Sequence, residues 1–265
     1  MCLILVAWRT HPQYPCIIAA NRDENYQRAT EAAHWWRDGG QILAGRDLVA
    51  GGTWLGVTRA GRFAALTNYR TPQQKRTEAP SRGTLVTGIL QSVGSVEEDL
   101  AHLQQVGADY NGFNMIISDG ERLGVYESVS GACVTLGPGI YGLSNHLLDT
   151  PWPKVQKAKS RLQAALSGMD DPTPVLELLR DDSPAPDAEL PRTGVSIEWE
   201  RLLSSAFVRG DGYGTRSSTV IRIDRGGTAF FDEWSWDPSG SQSDRRSFQF
   251  ATSHGERRVG PVHIQ

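Results

Sequence analysis

The chain of 265 residues is 39% apolar and 22% charged, with a formal net charge of −3. This is the composition of a globular protein, and the weakly acidic balance excludes the basic field that nucleic acid or an anionic membrane surface demands. The longest basic clusters, Lys75-Arg76 and Arg257-Arg258, are too short to track phosphates, and no apolar stretch approaches the ~18 residues of a membrane span.

Residues 2–8 and 16–21 are apolar runs around a turn-rich Arg9-Thr10-His11-Pro12-Gln13-Tyr14-Pro15, which predicts a hairpin. The opening run lacks a basic n-region and meets Arg9, His11 and Pro12 at once, so it is not read as a secretory signal. Strands are expected next at 41–46, 53–58 and 62–68, separated by the turn formers Gly51-Gly52 and Ala60-Gly61. The spacing of Leu85 and Ile89, and of Val96, Leu100 and Leu103, predicts helices over 82–92 and 95–105. Strands resume at 113–118, 122–128, 132–136 and 139–143. Thr150-Pro151-Trp152-Pro153 then opens a helix to about 167, with Thr150 as its cap and Pro151 in the first turn. A short helix is expected at 172–180, a proline-rich connection at 181–195 and another helix at 197–206. Strands at 216–224 and 227–233 make a second hairpin, and a weak strand at 247–251 lies in a polar, peripheral tail, 238–265. No internal repeat or low-complexity boundary divides the chain, which predicts one domain over 1–265. Grouped strands and helices, rather than βαβ alternation, predict an α+β protein of antiparallel sheets with helices as outer layers.

Three cysteines, Cys2, Cys16 and Cys133, are too few for a disulfide framework and point to a reducing, cytoplasmic setting. Removal of Met1 would leave Cys2 with a thiol and a free α-amine on one residue, a nucleophile beside its own base. The ordinary values, roughly 8.5 and 7.7–8.0, permit proton exchange between them near neutrality. Position alone does not separate this reading from a small buried cysteine that opens a strand.

Four further segments bear on the choice. In Ala19-Ala20-Asn21-Arg22-Asp23-Glu24-Asn25 an apolar strand ends in charge, close to Cys2 if the hairpin forms. Asp23 there suits an ion pair with the α-amine and Arg22 favours thiolate over thiol; a strand exiting into a charged loop has the same pattern. Leu66-Thr67-Asn68-Tyr69-Arg70 and Tyr141-Gly142-Leu143-Ser144-Asn145-His146 are strands ending in amides. Asn68 and Asn145 are suited to donating to an oxyanion, and equally to turns. In Tyr213-Gly214-Thr215-Arg216 an arginine enters a β-branched strand, facing either a pocket or solvent. Phosphate-loop, nucleophile-elbow, H-E-x-x-H and C-x-x-C motifs are absent, and the six histidines form no i, i+4 pair, so no metal is expected. Trp35-Trp36, Trp234 and Trp236 read as packing residues.

Together these segments resemble the NRDE family, which carries the run found here as Asn21-Arg22-Asp23-Glu24 and includes the transport-and-Golgi-organisation proteins. The resemblance runs from Met1-Cys2 through Gly51-Gly52-Thr53-Trp54-Leu55-Gly56, Asn68, Asn145 and Arg216, and weakens in 168–200 and after 238. It implies the N-terminal-nucleophile hydrolase fold, a four-layer αββα sandwich of two antiparallel sheets, near the choloylglycine hydrolase and penicillin V acylase group. It further implies Cys2 as nucleophile, Asp23 as holder of the α-amine, Asn68 and Asn145 near oxyanion and amine, and Arg216 as the late arginine of the site. The acylase group has Gly-Arg-Asn-x-Asp where this chain has Ala19-Ala20-Asn21-Arg22-Asp23. The arginine falls at −1 from the aspartate rather than −3, an offset of the same parity, so in a strand Arg22 keeps the same face. That departure argues against bile-salt or penicillin substrates.

Two functions follow. The first is a cysteine amidohydrolase acting on a non-peptide C–N bond of a small molecule, with no cofactor. The second is a non-catalytic handler of a small hydrophobic ligand such as a lipid or haem, for which Cys2 or His146 would supply an axial ligand.

Overall fold

The computed structural model describes residues 2–38, 41–72 and 76–253. Met1, Lys75 and the tail 254–265, with Arg257-Arg258, lie outside the described residues. The first sheet is built from β1 (Cys2–Trp8), β2 (Cys16–Asn25), β10 (Gly139–Leu143), β11 (Tyr213–Ile223), β12 (Thr228–Trp236) and β13 (Gln242–Ala251). Its order is β10-β1-β2-β11-β12-β13, and every pair is antiparallel. The second contains β3 (Thr30–Trp35), β4 (Ile42–Asp47), β5 (Leu55–Thr58), β6 (Phe63–Asn68), β7 (Phe113–Ser118), β8 (Leu123–Glu127) and β9 (Ala132–Leu136), antiparallel in chain order. Helices α1 (Gly83–Gln91) and α2 (Val96–Val106) cover the second sheet, and α3 (Pro153–Ala165) and α4 (Thr173–Leu179) cover the first. The result is the expected αββα sandwich. Among the described residues, no helix is long and apolar enough to cross a membrane.

The opening strand shows why the sandwich forms. Leu3, Leu5 and Ala7 face α3 and α4, while Ile4, Val6 and Trp8 face the second sheet. A strand covered on both faces is apolar at every position, so Leu3-Ile4-Leu5-Val6-Ala7-Trp8 has no alternation. Each fully buried Leu or Ile contributes roughly 1.5–3 kcal/mol relative to exposure. A third apolar layer, with Phe113, Met115 and Ile117 of β7 against Leu85, Ile89, Leu100 and Leu103, seats α1 and α2. Ser95 and Glu98 close a reciprocal cap at the start of α2.

The hairpin 2–21, the strands from 113 to 143 and the helices over 82–105 stand where the pattern placed them, within a few residues. Four details differ. Strand β3 was not expected; its bulged backbone is held from the other sheet, where Glu233 accepts the Ala33 N–H at 2.6 Å. Helix α3 starts at Pro153, with Trp152 rather than Thr150 at its cap. Pro153 bars Trp152 from helical angles, and Thr150 closes the preceding turn on the Leu147 carbonyl at 2.8 Å. The helix expected over 197–206 is α5 (Ile197–Leu202); the Ser204 and Ser205 hydroxyls bond the carbonyls of Arg201 and Leu202, an alternative to the helical ladder. The weak strand at 247–251 is the end of ten-residue β13, with Phe250 buried between the sheets.

Asn21 fastens the outer layer to the first sheet. Its Nδ2 donates to the carbonyls of Leu179 and Ala206 at 2.7 and 2.8 Å, and its Oδ1 accepts from Ser218 at 2.6 Å. All of this is buried. Asn21→Ala is therefore expected to cost ~2–4 kcal/mol in urea denaturation, because it orphans several buried polar groups.

Glu233 generates a pH dependence. Burial pushes its carboxyl up to about 7 from 4.5, against the pull of the Ala33 N–H and Thr219. Between those two values the folded chain holds a proton that the unfolded chain has released, so stability falls as pH rises through that window. Glu233→Gln keeps an acceptor for Ala33 and removes the titration. It is expected to gain ~1–3 kcal/mol over wild type at about pH 8 and to match it near pH 4.5, by urea denaturation at both values.

Candidate active site

Cys2 opens β1 and pairs directly with Arg22 of β2. Alternation along both strands sends these two side chains to the inter-sheet face, with Ile4 and Ala20. Cys2 is half-buried. Burial pushes its thiol up; the Asp23 carboxylate adds to this, whereas the Asp23 backbone N–H and the Arg22 charge pull it down. Arg22 is itself buried, stacked 4.2 Å over Trp54 and 3.8 Å from the Asp47 carboxylate. Its Nη1 has no hydrogen-bond partner among the described residues. The arginine adjoining the aspartate thus shares the face of the thiol.

Asp23 points to the opposite face of the same sheet, as Asn21 does. It is 2% exposed, and its Oδ1 accepts from Thr215 Oγ1 at 2.7 Å. Burial pushes its carboxyl up, opposed by the charges of Lys154 and Arg22 and by the Thr215 hydrogen bond. The Tyr213 hydroxyl donates to the Asp23 carbonyl at 2.9 Å. Gly214 between these partners has to be glycine, since a Cβ there would lie 2.0 Å from Tyr26 Oη and 2.6 Å from the Val208 carbonyl.

The two asparagines meet each other. Asn145 Nδ2 donates to the Asn68 carbonyl at 2.8 Å, and the Asn145 carbonyl accepts from Arg70 N at 2.7 Å. Ser144, one residue earlier, donates from Oγ to the Cys2 carbonyl at 3.0 Å. One residue later, the His146 carbonyl accepts from Asn114 Nδ2 at 2.8 Å. The segment 144–146 thus bridges β1 of one sheet to β6 and β7 of the other, and places Asn145 beside Cys2. Both ring nitrogens of His146 are engaged, Nδ1 with Thr150 Oγ1 at 2.9 Å and Nε2 with Tyr69 Oη at 3.0 Å.

Arg216 stands apart. It sits at a bulge of β11, and its Nη1 donates to the carbonyls of Asn25 and Arg28 at 2.9 and 3.1 Å, bracing the turn after β2. Its charge acts on Arg22. Among the described residues, no group of three His, Cys, Asp or Glu side chains is placed to hold a metal ion.

Two cations at the site escaped the sequence reading. Lys154, in the first turn of α3, is 4% exposed, and the charges of Asp23 and Cys2 act on it. A signal existed: Lys154, Ala158 and Leu162 form one buried stripe at four-residue spacing. Arg82 precedes α1; burial lowers its basicity, while the charges of Cys2 and Glu24 sustain it. It arrives there because Gly52 packs on Gly83 so closely that a Cβ would lie 2.4 Å from the Gly83 carbonyl carbon. Lys154 also lines a cavity of about 320 Å³ between α3 and residues 181–189.

Chemically, the arrangement offers a thiol flanked by cations, a buried carboxylate one residue from the thiol's cross-strand partner, and a side-chain amide with a second N–H to donate.

Known proteins are similar to this chain. The cattle Transport and Golgi organization protein 2 homolog is 38% identical over 260 residues, covering 88% of this chain and 92% of its own. The human homolog is 35% identical over 276 residues, covering 94% and 99%. Among solved structures, the Caenorhabditis elegans N-acylethanolamine-hydrolyzing acid amidase ortholog superposes with a TM-score of 0.47 at 12% identity, covering 83% of this chain and 92% of that one. A C2A mutant of the conjugated bile acid hydrolase of Clostridium perfringens gives 0.46, also at 12%, covering 94% and 92%. The sequence profile described as Transport and Golgi organisation 2 (TANGO2) matches residues 1–238. The chain belongs to that family.

Proposed function

We propose that the protein is a cysteine amidohydrolase that cleaves a non-peptide C–N amide bond with Cys2 as nucleophile. The observation that carries this reading is the setting of Cys2. It opens a strand beside the buried Asp23, its side chain shares the inter-sheet face with the Arg22 guanidinium, and Ser144 ties it to the segment that bears Asn145. A structural cysteine needs none of these neighbours.

The reading requires a mature chain that begins at Cys2. The thiol proton then passes to the α-amine, and the sulfur attacks the amide carbonyl carbon. As the C–S bond forms, the carbonyl electron pair moves to oxygen, where the second N–H of Asn145 and the Asn68 amide donate to it. Collapse breaks the C–N bond, and the leaving amine takes the proton from the α-ammonium. Water, deprotonated by the same amine, attacks the thioester and expels the thiolate, which recovers the proton. Asp23 orients the α-amine, and Arg22 and Arg82 favour the thiolate. Arg216 holds the wall of the site through the turn after β2.

Intact-mass measurement tests both requirements. Wild type is expected to lack the mass of Met1 and, with a library of small activated and unactivated acyl amides, to gain one acyl group on Cys2 that decays as product appears. Cys2→Ala is expected to lose the adduct and all turnover, a loss of several powers of ten, while its stability falls by only about 1 kcal/mol. Cys2→Ser should retain little, since a hydroxyl is barely ionised near neutrality. Retention of Met1, or full turnover by Cys2→Ala, would overturn the reading.

A further inference from the structure

Lys154 is a buried cation that the mechanism above leaves unused. Its Nζ has no hydrogen-bond partner among the described residues, although a lysine in the first turn of a surface helix ordinarily reaches water with its tip. A buried ammonium is tolerated only beside a counter-charge. The face of the first sheet on which α3 packs is the face to which Asp23 points. Asp23 is the leading charge that sustains Lys154, and Lys154 acts back on Asp23. One oxygen of Asp23 is taken by Thr215. In a chain beginning at Cys2, the same carboxylate faces two amines: Lys154 Nζ from α3 and the α-amine from β1.

Two ammonium groups cannot share one buried carboxylate at low cost, because each disfavours the charge of the other. We propose that Lys154 is a positioning residue of this site: its ammonium neutralises Asp23, and so keeps the Cys2 α-amine unprotonated and able to accept the thiol proton. The inference rests on the reading of Cys2 as a nucleophile freed by loss of Met1. Burial brings Lys154 down to about 8, with Asp23 opposing and Arg70 assisting the fall. That is the ordinary range of an α-amine, roughly 7.7–8.0, so the two amines titrate as a coupled pair. The other charged or titratable groups around them are Arg22 and Glu24 of β2, Arg82 before α1, Arg70 after β6 with its partner Glu200 of α5, and Tyr213 of β11. The three guanidiniums stay charged through the neutral range, and burial pushes the Tyr213 hydroxyl up, out of it.

The test is the pH profile of trace acetylation of the residue-2 α-amine by acetic anhydride, in a Cys2→Ala background that removes the competing thiol, followed on the N-terminal peptide by mass spectrometry in the full chain. It needs no substrate. Removing a nearby positive charge favours protonation of the α-amine. Lys154→Met is therefore expected to move the acetylation midpoint up by about one pH unit, roughly a tenfold slower reaction near pH 7, and Lys154→Arg to leave it within ~0.3 unit. A merely structural lysine would change stability and leave the midpoint alone. An unmoved midpoint in folded Lys154→Met that has lost Met1 overturns the inference and leaves the hydrolase reading standing. A shifted midpoint without any thioester in wild type sustains the inference about the residue and sinks the hydrolase. If Lys154→Met does not fold, wild type with ¹³C at lysine Cε decides: a resonance titrating near 8 that moves on alkylation of Cys2 supports the proposal, and its absence overturns it.

Discussion

The antiparallel register of β1 on β2 is the constraint on which the rest of the site depends. It sets Cys2 opposite Arg22 and Asp23 one residue beyond, at the mouth of a hairpin whose apolar body is covered on both faces. Because side chains alternate, one run of three residues serves three places. Asn21 reaches outward to α4 and the 206 loop, Arg22 inward to Trp54 and Asp47, and Asp23 outward again to Thr215 and Lys154. A register slip of one residue would exchange all three. The apolar pattern of residues 3–8 and 16–20 opposes that slip, since both faces of each strand are matched to a core.

Burying charge around a thiol is costly, and the fold meets the cost by pairing. Arg22 lies flat on an indole and near a carboxylate. Arg70 donates to Glu200 at 2.8 Å and stacks 4.7 Å over Trp152. Lys154 and Asp23 oppose each other. Guanidinium suits such places, because its planar, weakly hydrated head stacks on rings while keeping its donors. The ammonium of Lys154 has no such outlet, and burial brings it down to about 8.

The second sheet contributes through one short connection. Ser144, Asn145 and His146 leave β10 and bond in turn to Cys2, to Asn68 and to Asn114. The two asparagines are therefore coupled by a hydrogen bond as well as by proximity, so a shift of one sheet over the other moves both relative to the Cys2 sulfur. Glu233 clips β3 to the first sheet elsewhere along the same inter-sheet layer. Both links cross the layer through buried polar groups, which hold one alignment of the sheets more narrowly than aliphatic packing alone.

The sequence by itself determined the layer order and most strands and helices, and it singled out the polar residues that stand at the strand ends. Hairpin periodicity and helical spacing are local, and Cys2, Asp23, Asn68 and Asn145 each stand at the edge of an apolar strand, where a polar residue is conspicuous. It determined the face of Arg22 too, because parity is a property of the strand alone. Tertiary structure decided what depends on contacts between distant segments. The bulge of β3 is held by Glu233, some 200 residues away, which takes the Ala33 amide. Arg216 braces a turn because its bulge aims it at the Asn25 and Arg28 carbonyls. Lys154 reads as an ordinary helical lysine until α3 is laid on the sheet; only then does its position on the stripe with Ala158 and Leu162 bury an ammonium on which the Asp23 charge acts. Local pattern states which side of an element is buried, and only the packed neighbour states what the buried group meets there.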